Sequence, residues 1–151
     1  MLLDGFNHVA VLTGDTDRLH AFYAEVFEAT VAFDNKQEQL RFSIVDVGPY
    51  NELNVFELYG DHPAPPQVPM FGRGRLDHLG LQAASLDAFD EIRRRLLARD
   101  ACDEFVTDFG PNLSLFFRDP DGLEAEVCVP NSDATPGTFN PPGTPASRYS
   151  T

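Results

Sequence analysis

Lysine occurs once in this chain, at Lys36, and every other basic residue is arginine. The 11 Lys and Arg stand against 24 Asp and Glu, a net charge of −13. An acidic surface of that size repels phosphate backbones and anionic lipid, which excludes nucleic acid and membrane surfaces as partners. Cysteine is scarce too. Cys102 and Cys128 form no paired-spacing motif, and two free thiols in a reducing compartment are a simpler reading than one disulfide. No apolar run is long enough to span a bilayer. The opening MLLDGFNHVAVLTGD lacks a basic region before its apolar stretch and carries Asp4 early, which argues against a signal peptide. A soluble, cytoplasmic protein is expected. With 151 residues, 42% hydrophobic and 23% charged, the chain has an ordinary globular balance and the length of one domain or of two small modules.

What is present is a repeat. FNHVAVLTGDTDRLHAFYAEVFEA opens the first half and LDHLGLQAASLDAFDEIRRRLLARDA the second. Placing His8 on His78, an offset of 70, also brings Val9 onto Leu79, Val11 onto Leu81, Asp17 onto Asp87 and Phe22 onto Ile92. Each half starts with an alternating strand, Phe6 to Leu12 and Leu76 to Gln82. Each then turns amphipathic, predicting helices over Thr16 to Phe27 and Leu86 to Arg99. In the first, Leu19, Phe22, Tyr23 and Val26 share a face; in the second, Leu86, Phe89, Ile92, Leu96 and Leu97 do. Ser85 stands where an N-cap belongs. Arg93, Arg94 and Arg95 fan out over three helical directions and read as a solvated face rather than an anion site.

Three strand candidates follow each helix: Thr30 to Asp34, Leu40 to Val47 and Leu53 to Tyr59, then Cys102 to Thr107, Leu113 to Arg118 and Glu124 to Val129. The expected division is a strand–helix–three-strand module over 3–60, a Pro- and Gly-rich linker over 61–75, a second such module over 76–130 and a flexible Pro/Thr/Ser-rich tail over 131–151.

The last strand sits in FFRDPDGLEAEVCV, with Leu123, Ala125, Val127 and Val129 on one face and Glu124, Glu126 and Cys128 on the other. Glu126 ends the second half as Glu57, in LNVFELYG, ends the first, at an offset of 69. Each half thus supplies a His in its first strand and a Glu in its last. A lone strand His is more often a surface or satisfied residue than a ligand, and a Glu near a strand end is usually solvated. Recurrence of both types in both halves favours a site for one divalent ion, held by His8, Glu57, His78 and Glu126. Without thiolates in the set, the ion is expected to work rather than to brace the fold. His20 and His62 have no repeat partner and read as surface residues.

FNHVAVLTGDTDRLHAFYAEVF, LDHLGLQAASLDAFDEI and FFRDPDGLEAEVCV resemble the motifs of the vicinal oxygen chelate superfamily, over roughly Leu3 to Pro130. The most specific element is DPDG followed by Glu126. The resemblance implies an α+β fold of two βαβββ modules forming a cupped mixed sheet, helices on the outer face, a metal in the cup, and a homodimer. Carried over by position, His8, His78 and Glu126 match the common ligand triad, and Glu57 resembles the fourth ligand of the glyoxalase I-like branch. In glyoxalase-like members the carboxylate matching Glu126 also acts as base, so Glu126 and Glu57 are the candidate catalytic carboxylates. The implied ion is Zn, Ni, Mn, Co or Fe. No basic cluster resembles a glutathione-carboxylate clamp, which points away from glyoxalase I itself, and only Arg118 lies close to the DPDG turn.

The expected function is a metal-dependent lyase or isomerase that transfers a proton on a small oxygenated substrate chelated by the ion. Two other classes compete: an Fe(II)-dependent extradiol-type dioxygenase, and a small-molecule binding or resistance protein without catalysis.

Overall fold

The computed structural model describes Leu2, residues 5–60 and residues 67–149. Contacts divide the chain into two compact units, Met1–Gln67 and Val68–Thr151. His62 lies outside the described residues.

In unit 1 the alternation HVAVL becomes β1 (His8–Leu12), and Asp15 then ends extended structure by accepting from the Arg18 N–H at 2.9 Å. That cap starts α1 (Thr16–Phe27), whose buried residues include the expected Leu19, Phe22, Tyr23 and Val26. β2 (Thr30–Lys36), β3 (Leu40–Asp46) and β4 (Glu52–Leu58) follow. The sheet order is β1-β4-β3-β2, with β1 parallel to β4 and the other pairs antiparallel.

Unit 2 repeats the plan. β5 (Leu79–Gln82) leads to Ser85, which accepts from the Ala88 N–H and starts α2 (Leu86–Leu97). β6 (Thr107–Asp108), β7 (Asn112–Arg118) and β8 (Glu124–Pro130) complete a sheet of order β5-β8-β7-β6, again with one parallel pair. The fold is α+β, two four-stranded mixed sheets of βαβββ plan. In each unit the helix covers the face carrying Leu53 and Val55, or Ala125, Val127 and Val129, all of them buried.

Three local expectations change. The strand read over Cys102 to Thr107 shrinks to one bridge, Cys102 to Phe117, and the two residues of β6. Asp103 is the cause: its carboxylate accepts from the Phe105 N–H at 3.0 Å, and this side-chain turn breaks the extended run. The three arginines are not one solvated face, because Arg94 and Arg95 both grip Glu91 while Arg93 lies over the Tyr149 ring at 5.2 Å.

The tail expected to be flexible takes a defined path along unit 2. Asp108 N–H donates to Thr144 O at 2.8 Å, Ala146 N–H to Val106 O at 2.9 Å and Asn140 N–H to Phe109 O at 3.1 Å. These bonds cover the open edge of β6, which its backbone would otherwise leave unpaired. Tyr149 then donates to Asp90 on α2 at 2.5 Å.

Gly110 shows how close the tail lies. Its φ is +92°, and a Cβ there would run into the Thr138 carbonyl oxygen. Gly110→Ala is therefore expected to cost roughly 2 kcal/mol or more of stability, from backbone strain plus the clash. In a chain ending at Pro130 only the strain remains, so the cost should fall. Denaturant titration of both pairs checks this, and equal costs would mean that the tail does not pack there.

Candidate metal and acid–base site

Unit 2 brings together two of the expected residues. His78 immediately precedes β5, and Glu126 lies opposite Gly80 on the parallel neighbour β8. Strand alternation puts His78, Gly80 and Glu126 on the face away from α2. Gly80 makes room there: a Cβ at that position would stand 3.3 Å from Glu126 Oε1. The turn that aims β8 is built by Asp119, whose buried carboxylate accepts from the N–H groups of Asp121 and Leu123, while Gly122 takes φ +82°. The physical content of the DPDG motif is this turn.

The two carboxylates of β8 have different work. Glu124 is held by Arg118 at 2.6 Å, by Arg73 at 2.7 Å and by the Met70 N–H, and these partners hold its carboxyl below its ordinary range. Among the described residues, Glu126 meets no arginine. Its Oε2 accepts from the Ser114 hydroxyl at 2.6 Å, and its Oε1 lies 3.3 Å from His78 Nε2.

His78 is oriented from behind. Asp77 Oδ2 stands 2.8 Å from Nδ1, and a carboxylate only accepts, so the Nδ1 proton is fixed there and Nε2 presents its lone pair to Glu126. Two electron-rich atoms facing each other at 3.3 Å call for a cation between or upon them. Asp77, with Glu126 assisting, raises the imidazole above its ordinary value against the effect of partial burial. At bond lengths of about 2.0–2.2 Å, two donors to one divalent ion stand roughly 3 Å apart, so the pair also fits a metal.

Unit 1 carries the matching histidine. His8 opens β1 on the face away from α1, and its Nδ1 lies 2.8 Å from Asn7 Oδ1. Asn7 and Asp77 are thus equivalent props for equivalent imidazoles. The sequence displays them as NH and DH at the repeat offset of 70.

Glu57 does not share that face. The register pairs Ala10 with Asn54 in unit 1 and Gly80 with Glu126 in unit 2. Asn54 therefore occupies the position of Glu126, at an offset of 72, and Glu57 corresponds to Val129. Three residues beyond Asn54, Glu57 points to the α1 side, where its Oε2 accepts from the Thr16 N–H at 3.1 Å and hydroxyl at 2.6 Å. It serves the helix N-terminus, where a negative charge is favoured. Among the described residues, no three or more His, Cys, Asp or Glu side chains are gathered as a metal cluster.

The α1 side of unit 1 is unusually polar around Glu57. Buried Arg41 binds Asp34 at 2.6 Å and Asp17 at 2.8 Å, and buried Ser43 meets His20 Nε2 at 2.8 Å. His20 is thus part of the helix–sheet contact rather than a plain surface residue.

A family model for the glyoxalase/bleomycin resistance protein/dioxygenase superfamily matches residues 5–127. The chain belongs to this superfamily. Solved structures agree on the fold. A glyoxylase/bleomycin resistance protein/dioxygenase domain from Frankia sp. EAN1pec is 21% identical with a TM-score of 0.72, covering 87% of this chain and 95% of its own. A lactoylglutathione lyase from Agrobacterium tumefaciens is 24% identical at TM-score 0.59, covering 85% and 96%. The fosfomycin resistance protein FosX from Listeria monocytogenes is 17% identical at TM-score 0.67, covering 87% and 97%, and has also been solved with Mn(II). No curated protein matches the chain.

His20 supplies a pH test. Burial pushes its imidazole below the ordinary value, with Asp34 and Asp17 opposing and Arg41 reinforcing the shift. The folded state prefers the neutral ring, so below about pH 6.5 the unfolded chain takes up the proton first and stability falls. His20→Asn removes this loss. The stability difference, wild type minus variant, should decline as pH drops from 7 to 5; a flat difference would place His20 in water. His78 titrates with the opposite sign but is common to both proteins, so it cancels.

Proposed function

We propose that this chain is a divalent-metal-dependent enzyme of the glyoxalase-like type, moving a proton on a small oxygenated substrate. His78 and Glu126 in unit 2 are its proposed donors, and His8 is the proposed donor of unit 1. The carrying observation is the His78–Glu126 pair, its Nε2 and Oε1 3.3 Å apart with each partner fixed from behind by Asp77 or Ser114. When bound, the ion polarises the substrate's oxygens and acidifies the neighbouring carbon.

The chain's own groups do the rest. Asp77 and Asn7 keep the Nδ1 protons in place, so both imidazoles offer Nε2. Ser114 anchors Glu126 Oε2, so Oε1 is the oxygen free either to meet the ion or to exchange a proton with the substrate. The partners named for relatives support the chemistry: FosX has been solved with Mn(II), and another relative is a lactoylglutathione lyase. A homodimer in the cytoplasm suits the remaining features. Every residue of edge strand β2 is exposed, Val31 and Phe33 included, and both cysteines are free thiols pushed up to about 11 by burial.

One observation favours a second reading. With Glu57 on the α1 side, the candidate donors reduce to two His and one Glu, the set that also serves non-haem Fe(II) oxygenases.

The test loads wild type, His8→Ala, His78→Ala and Glu126→Gln with Mn(II) or, without air, Fe(II). Bound metal and turnover are then measured on a panel of vicinal oxygen compounds. Either His→Ala change should lower occupancy most, while Glu126→Gln should keep part of the metal and lose turnover by about 100-fold or more. Oxygen uptake with Fe(II) alone would select the dioxygenase reading. Full occupancy in all three variants would defeat both readings.

A further inference from the structure

Residues 68–75, the second half of the expected linker, are built into unit 2. The backbone ladder between β5 and β8 begins at Leu79 and Ala125, so Asp77 and His78 stand just outside it. One side chain takes over there. The Arg73 guanidinium, only 7% exposed, donates from Nη1 to the carbonyl oxygens of Asp77 at 2.6 Å and Glu124 at 3.3 Å. Its Nη2 donates to Glu124 Oε2 at 2.7 Å and its Nε to the Val68 carbonyl. The rigid fork thus joins the start of the segment, the residue before His78 and the strand that carries Glu126. The same segment grips Asp77 by its side chain as well: the Phe71 N–H donates to Oδ1 at 2.6 Å, while Oδ2 meets His78 Nδ1 at 2.8 Å. To do so Phe71 adopts φ +65°, a conformation that a bulky residue holds only where its surroundings enforce it.

We propose that Arg73 is a positioning residue for His78: the turn it closes, 68–77, holds the imidazole with its proton on Nδ1 and its lone pair on Nε2. The backbone of Asp77 is held by Arg73 and its carboxylate by the Phe71 N–H, so Oδ2 meets the ring in one orientation. Freed of Arg73, residues 77 and 78 lose this attachment to β8. The ring can then turn over and donate to Glu126 Oε1, 3.3 Å away. Arg73→Lys keeps the charge but loses the fork that reaches Val68, Asp77 and Glu124 together. Neither change strands Glu124, which keeps Arg118 and the Met70 N–H. The assignment deepens the metal reading and rests on it for one consequence: a ring that turns an N–H toward the site cannot ligate there.

Nitrogen-15 NMR of the metal-free chain, at a pH where the ring is neutral, reads the His78 tautomer, with its signals assigned by their loss in His78→Ala. Mn(II) affinity is measured by calorimetry on the same samples: wild type, Arg73→Met, Arg73→Lys, Asp77→Ala, Arg118→Met and His78→Ala. Wild type should show the Nδ1–H form. Both Arg73 variants should move His78 toward the Nε2–H form, as Asp77→Ala does, and weaken Mn(II) about tenfold. Arg118→Met removes the other arginine of Glu124 without touching residue 77, and it should leave tautomer and affinity unchanged. A wild-type tautomer in Arg73→Met, or an equal shift in Arg118→Met, would overturn the proposal, because Arg73 would then only brace the segment against β8. Wild-type affinity in His78→Ala would instead overturn the metal reading and leave the tautomer result standing.

Discussion

A β-strand sends successive side chains to opposite faces, and in each unit of this chain a helix claims one of those faces. Everything proposed about the site depends on that division. Leu53 and Val55 in β4, and Ala125, Val127 and Val129 in β8, are committed to the helix side. Residues of the other parity are left for chemistry. One step along the strand separates a packed aliphatic from a candidate ligand, so the register between neighbouring strands decides the donor set as firmly as residue type does.

On that open face the chemistry depends on what stands behind the donors. Asp77 gives His78 a fixed tautomer, and Ser114 gives Glu126 a fixed orientation. Without them the imidazole could turn its Nδ1–H toward the carboxylate and satisfy both groups. With them, two lone pairs converge and a cation is required. Glu124, two residues away on the same face, shows the contrast. Arg73, Arg118 and a backbone N–H occupy it, and it has no capacity left for an ion.

Much of this was legible in the residues. Ser85 announced the start of the second helix, and the His8–His78 offset exposed the repeat. The alternation of β8 correctly placed Glu126 opposite its apolar set. Glu57 was matched to Glu126 because identity of type outweighed parity. An even offset of 70 for the histidines combined with an odd one of 69 for the glutamates puts the two glutamates on opposite faces of their sheets. The true correspondence in the last strands is 72, because the second half holds two extra residues between its helix and β7. The tail was opaque for another reason. Its Pro, Thr and Ser composition carries no periodicity, and its order comes from the backbone groups of Val106, Asp108 and Phe109, which composition does not reveal.

The central claim is that face parity selects the ligands. Anomalous diffraction at the manganese edge, on crystals of the Mn(II)-loaded chain, tests it most directly. The account predicts one strong peak bonded to His78 Nε2 and Glu126 Oε1, with Glu57 still on Thr16. A peak bonded to Glu57, or one remote from His78 and Glu126, would contradict it.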